Sequence, residues 1–346
     1  MKHKIFTLAL AFGAFAFNAG AWDYEGHHAI NELALASLPS DFGIELTPAL
    51  KMRIEYLAGE PDRWRNVPDR RKGTDLALAQ YNETDHYIDL ETLKLYGLTP
   101  ETLPPLRYDF VADIVKARLQ HPERFQPIDP EKDADHTREL DGFLPWAITE
   151  NYEKLKSDFS SLKAFEQYGG TPEEIANAKA DIIYVMGVMG HYVGDGSQPL
   201  HTTMHHHGWV GDNPKGYTTN FAFHAWIDGG YFKKTGGINV DDLVGKIQPA
   251  TRIPNADQPD GMFKAVVNYL VEQNKLVEPL YQMEKNGQLT GEGDKGLEGR
   301  PFLDGQLVKA GQMLGNIWLT AWLEAPEDKY LERQLQQRNA ADAQSK

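Results

Sequence analysis

The segment HYVGDGSQPLH sets His191 four residues before Asp195, with His201 beyond it, and FHAWID sets His224 four residues before Asp228. Residues four apart share one face of a helix, so each pair can offer an imidazole nitrogen and a carboxylate oxygen to one cation. Pro199 ends the regular pattern and lets His201 turn towards a neighbouring position. A lone histidine in an apolar stretch is usually a hydrogen-bonded core residue, and a His and an Asp four apart are commonly a surface pair. Two such pairs within about 40 residues fit neither description well. The chain has no cysteine, so any metal must sit on nitrogen and oxygen. Zinc accepts that ligand set, and an incomplete protein shell leaves room for water or substrate.

These residues need helices to carry them, and the sequence supplies helical periodicity throughout with little strand-like alternation. Phe110, Val111, Ile114, Val115 and Leu119 fall at helix-face spacing, as do Phe263, Val266, Val267, Leu270 and Val271, and then Met313, Leu314, Ile317 and Trp318. Thr171 followed by Pro172 and Glu174 reads as a capping box ahead of Ile175 to Val188, the helix that delivers the first metal-ligand pair. Irregular stretches are expected at 61 to 80, 202 to 219 and 286 to 302. The second of these separates His201 from His224 and is expected to form a lip of the site. It also carries His205, His206 and His207, which could line the substrate channel or take an adventitious metal but are read as part of a solvated loop, because adjacent residues rarely all face one ion. No internal repeat or linker interrupts the chain. The expectation is an all-α, single compact multi-helix domain over 22–330 with long functional loops, followed by a polar tail or frayed helix over 331–346.

Residues 1–21 read as a secretory signal peptide. Lys2 and Lys4 precede the apolar stretch Ile5 to Phe17, and Ala19-Gly20-Ala21 supplies small residues for cleavage. The apolar stretch is short of the roughly 20 residues that span a bilayer, so the expected product begins at Trp22, is secreted or periplasmic, and has no stable membrane anchor. Formal charge is −15, and loss of Lys2 and Lys4 leaves 33 Lys and Arg against 50 Asp and Glu. That excludes a charge-driven nucleic-acid binder. It does not exclude an enzyme that grips one phosphate through bound dications, which can be the largest local charges in a site. No protein partner is expected.

With these residues in place, the chain resembles the three-zinc phosphodiesterases, the superfamily of bacterial zinc-dependent phospholipase C and the single-strand-specific S-one/P-one nucleases. The resemblance rests on Trp22 at the start of the processed chain, WDYEGH with His27, EPDRW with Asp62, TDHYID with His86, GHYVGDGSQPLH with His191, Asp195 and His201, and the closing pair His224 and Asp228. It spans 22 to 228 and implies the all-α fold of that superfamily and three zinc ions per chain. The resemblance implies that Asp62, His86, His191 and Asp195 hold one zinc. Trp22, through its amino nitrogen and carbonyl oxygen, holds the second with His27 and a shared Asp195, and His201, His224 and Asp228 hold the third. Asp69 and Asp75 are alternatives to Asp62. Cleavage of the leader would free the Trp22 amine, which gives up its proton to a metal readily where an amide would not.

The activity the resemblance implies is hydrolysis of a phosphodiester by a hydroxide bridging two ions, giving a monoester and a free hydroxyl. Asp62 and Arg65 are the expected catalytic residues, with Arg65 directed against phosphate. The short spacing from Trp22 to His27, and aspartate rather than glutamate at 228, look more like the nuclease branch. There Tyr87 and Asp89 would stack on and hydrogen-bond a base, and the substrate would be single-stranded DNA, RNA or a nucleotide. A phospholipid substrate, or an exported zinc-binding protein without turnover, is the alternative. Arg65 as a surface ion-pair residue and Tyr87 as a core residue remain open on the sequence.

Overall fold

The computed structural model describes residues 22–65 and 76–344. The leader read in residues 1–21, and Asp69 and Asp75, lie outside the described residues. Those described form helices joined by turns and loops with no strand, as expected of an all-α chain. In order they are α1 (Tyr24–Ser37), α2 (Pro48–Leu57), α3 (Glu60–Arg65), α4 (Leu76–Glu83), α5 (Arg107–Gln120), α6 (Leu144–Tyr168), α7 (Pro172–Ser197) and the short α8 (Phe223–Ala225). A π-helical turn (Trp226–Gly230) runs on into α9 (Tyr231–Lys234), followed by α10 (Val240–Val244), α11 (Gly261–Asn274), α12 (Val277–Lys285), α13 (Gly293–Leu297), α14 (Arg300–Glu324) and α15 (Lys329–Gln344).

The long helices α6 and α7 form the centre. Gly169, in the left-handed region at φ 83°, closes α6, and the capping box expected at Thr171 opens α7. The Thr171 hydroxyl accepts from the Glu174 amide at 3.2 Å, and the Glu174 carboxylate accepts from the Thr171 amide at 2.7 Å. Such a cap is worth about 1 kcal/mol. Helix α14 packs on both α6 and α7, and α1 lies against α14. Asn31 ties α1 to its neighbours, its amide donating to the carbonyls of Ile54 on α2 and Gly187 on α7 at 2.9 and 3.1 Å. Trp146, Trp318, Tyr152, Phe110 and Phe159 fill the core, with Phe110 stacked on Trp146 at 4.6 Å.

The apolar stripe on α5 is narrower than expected: Phe110 and Ile114 are buried, but Val115 and Leu119 are exposed, because α5 packs on the periphery through a single edge. The irregular stretches are also shorter than read. Residues 61–65 belong to α3 and 76–80 to α4, while α13 and the start of α14 lie within 286–302. The expected polar tail is helical as far as Gln344, as α15. Leu335 is buried and Arg338 forks onto the Glu174 carboxylate at 2.7 and 3.0 Å, so the last helix docks on the start of α7. Among the described residues no helix is long and apolar enough to cross a membrane.

Candidate metal centre

The last two turns of α7 are fully buried, and they carry His191 and Asp195 on one face. The close approach of α1 is possible because residue 194 is glycine: a Cβ there would meet His27 Nδ1 at 2.9 Å and Ile30 Cδ1 at 3.0 Å. His191 Nδ1 donates to the Ala58 carbonyl at 2.7 Å. A carbonyl can only accept, so that nitrogen bears the proton and Nε2 presents its lone pair. His191 Nε2 lies 3.0 Å from His86 Nδ1, 3.5 Å from Asp195 Oδ2 and 3.8 Å from Asp62 Oδ1. His86 ends the 3-10 turn Thr84–His86 that follows α4, and its Nδ1 is 3.0 Å from Asp195 Oδ2.

The other Asp195 oxygen faces α1, with Oδ1 3.4 Å from His27 Nε2. The His27 ring stacks on His191 with centroids 3.7 Å apart. Asp195 therefore stands between two imidazole sets. The third group lies one step further along the chain. His201, on the 3-10 turn Pro199–Thr202, donates from Nδ1 to the His86 carbonyl at 2.6 Å, which leaves its Nε2 facing His224 Nε2 at 2.8 Å. His224 Nε2 is 3.2 Å from Asp228 Oδ2, and Asp228 Oδ1 accepts from the Gln198 amide at 2.6 Å.

Eight of the nine expected ligands thus fall into three groups that could each hold a metal ion: His27, His191 and Asp195; Asp62, His86 and His191; and His201, His224 and Asp228. Within each group the ligand atoms lie within 4.8 Å of one another. His191 is common to the first two groups, a sharing that the resemblance assigned to Asp195 alone. Trp22, the ninth, is fully buried beside them. Its indole donates to the Gly194 carbonyl and the Ser197 hydroxyl, each at 3.0 Å, and the next residue's amide donates to the Asp228 carbonyl at 3.2 Å.

The donor set fits divalent cations. Asp195 Oδ1 and Asp228 Oδ2, each within one of the groups, are buried with no hydrogen-bond partner, a costly arrangement where no cation compensates. Burial holds His86, His191, His201 and His224 well below the ordinary imidazole range, so their lone pairs are available. Burial pushes Asp195 well above the usual carboxylate range, and the nearby Asp62 charge adds to it. Asp228 is raised chiefly by burial too. Bound dications would restore both carboxylates to their charged form.

Arg65 is buried rather than a surface ion-pair residue, and its Nε donates to Asp62 Oδ1 at 2.9 Å. Burial opposes its charge, but Asp62 and the other nearby carboxylates outweigh that and hold its pKa above the ordinary value. It lines a cleft of about 650 Å³ together with Tyr87, Asp89, Arg138, His201 and His224. The third ligand group therefore opens directly onto this space. Tyr87 is partly buried and donates to the Leu140 carbonyl at 3.2 Å. Burial pushes the Asp89 carboxyl well up, with Asp141 and Glu91 contributing, and its Oδ1 has no hydrogen-bond partner.

Three supporting features escaped the sequence reading. Gln198 orients Asp228, and the Ala58 carbonyl sets the His191 tautomer. Arg107 forks onto Glu150 at 2.8 Å through two nitrogens and also binds Asp85, the residue before His86. Asp85 is pushed up to about 6, by burial in spite of that arginine. The GSQPLH step contained Gln198 but gave no sign of its partner. The histidine loop is half-buried, with two of its histidines in the channel-lining position that is the alternative to a solvated loop. His205 stacks on Trp209 at 4.0 Å and 7°, and Gly208 at φ 96° bends the chain closely past Thr219. His206 and His207 line the cleft.

Compared with known protein families and with curated proteins, the chain matches none.

Proposed function

We propose that this chain is an exported zinc-dependent phosphodiesterase that hydrolyses single-stranded DNA or RNA. The observation that carries the reading is the set of three buried His/Asp groups, two of them joined through His191 and the third opening onto the cleft that holds Arg65. Zinc bound there would supply Lewis acidity and a water of lowered pKa. Trp22 would add its amino nitrogen and carbonyl oxygen once the leader is removed.

The chain's own residues do the rest. Arg65, fixed by Asp62, presents a guanidinium in the cleft where a phosphoryl group gathers charge. His191 and His201 are each held in one tautomer by a backbone carbonyl, so they keep their lone pairs inward at no reorganisation cost. Tyr87 offers a ring to a base, a contact worth roughly 1 to 3 kcal/mol in single-strand binders. Asp89 offers a carboxyl group with one oxygen that no hydrogen bond occupies. Because the site rather than the surface field would grip the substrate, the reading is compatible with the strongly acidic chain.

The test is to purify the chain beginning at Trp22 and assay single-stranded DNA, RNA and phosphatidylcholine with and without chelator. The reading expects chelator-sensitive cleavage of nucleic acid with no lipid turnover. Lipid turnover alone would assign a phospholipase, and bound metal without turnover a non-catalytic zinc protein.

A further inference from the structure

Four aromatic rings follow one another along the cleft. Tyr87 lies 6.3 Å from His206, His206 lies 4.7 Å from His207, and His207 stacks on Phe221 at 4.1 Å and 30°. All four line the same space as Arg65 and the third ligand group. The two middle rings abut that group, His206 at 6.3 Å and His207 at 5.2 Å from His224. Tyr87 and Phe221 are thus the two ends of an arc whose middle touches the metal ligands. Phe221 is 71% exposed, so its ring has no core to fill.

The loop that carries His206 and His207, the middle of this arc, is held in place. The Tyr281 hydroxyl donates to the His205 carbonyl, Glu91 accepts from the Thr203 hydroxyl at 2.7 Å and from the Met204 amide at 3.2 Å, and the Trp209 amide donates to the Thr218 carbonyl at 2.8 Å. A pre-ordered aromatic surface loses little freedom on binding, which favours stacking. A phosphodiester with one aromatic group on each side matches such an arc, one group to each end.

We propose that Phe221, backed by His207, is a second base-stacking site, so that the cleft holds two successive bases with the scissile phosphate between them at the metal ligands. This rests on the phosphodiesterase reading and deepens it: the preferred minimal substrate is a dinucleotide, and Phe221 sets that preference.

The experiment compares thymidylyl-thymidine with the 3′- and 5′-methyl phosphate esters of thymidine, each of which has one base. The ratio of kcat/KM for the dinucleotide to that for the better ester should fall about 5- to 100-fold in Phe221→Ala, mostly through KM, and be restored in Phe221→Trp. The zinc content of both variants should match the parent. The indole fluorescence that the Phe221→Trp variant adds to that of the parent should be quenched by dinucleotide and not by phosphorylcholine. An unchanged ratio in Phe221→Ala, with the parent cleaving the dinucleotide, overturns the inference alone. Quenching by phosphorylcholine but not by dinucleotide also overturns it, as does a parent that cleaves single-stranded DNA but not the dinucleotide, and absence of hydrolysis of every nucleic-acid substrate by the parent overturns both the reading and the inference.

Discussion

His201 donates from Nδ1 to the main-chain carbonyl of His86 at 2.6 Å. A ligand of the third group is therefore oriented by the backbone of a ligand in another, and the return bond from the Ile88 amide to the His201 carbonyl at 2.9 Å closes the pairing. The three groups form one connected structure, and disturbance of one should be felt in the others.

Shared and unshared ligands should differ in how much metal they hold. Asp195→Asn removes charge from a carboxylate with one oxygen facing His27 and the other facing His86 and His191, and should cost two zinc ions per chain. Asp228→Asn, whose neighbours are His224 and Gln198, should cost one. Metal analysis of the purified variants decides it, and equal losses would contradict the shared role of Asp195.

Arg65→Ala should lower kcat by about 10² to 10³ while keeping the metal, since it removes a preorganised cation facing the phosphoryl group. Arg65→Lys should recover only part, because an ammonium cannot reproduce the fork. Steady-state kinetics with parallel zinc counts test this. A variant that loses zinc as well as rate would show that Arg65 serves to hold Asp62.

Much of this site was legible in the sequence, because ligands confined to one helix obey its period. The pairs His191 and Asp195, and His224 and Asp228, meet as the four-residue spacing implied, and the capping box at Thr171 forms as read. Asp62 and His86 come from distant segments, and only their place in a longer pattern singled them out. The roles of Gln198 and Arg107 depend on partners 30 and 43 residues away, which no local pattern encodes. Which of the readings of the histidine loop holds was not legible, because its anchors, Tyr281 and Glu91, lie far off in the chain.

Stability against pH should differ in kind between the metal-free and metal-loaded forms. Metal-free, burial in the folded chain favours neutral His86, His191, His201 and His224 and protonated Asp195 and Asp228. Below about pH 6.5 those imidazoles take up protons on unfolding, which makes stability rise with pH, while the carboxyls that burial raises, Asp85 and Asp89 included, release protons on unfolding and oppose the rise. Above about 6.5 the imidazoles are neutral in both states, so their contribution is complete, and stability falls with pH wherever the raised carboxyls are still ionising in the folded chain. With ions bound Asp195 and Asp228 are already charged and their part of the decline should vanish. Melting curves from pH 5 to 9 with chelator or with zinc test this; a metal-free melting temperature still climbing above pH 7 would contradict it.

If Trp22 contributes its amine, a chain with one extra residue before Trp22 should bind one zinc fewer and lose most of its activity, while its helix content stays the same. The indole bonds to Gly194 and Ser197 do not involve the amine and should survive the extension. Full zinc content in the extended chain would remove the amine from the ligand set.

His191 joins two of the three candidate cation groups, and the proposed chemistry depends on all three being filled. Native mass spectrometry of the chain beginning at Trp22, equilibrated with zinc and then titrated with chelator, reads their occupancy. Three zinc ions per chain are expected, with cleavage of single-stranded nucleic acid lost as they are withdrawn. A chain that binds no zinc, or that cleaves undiminished without it, would contradict a metal-built active site.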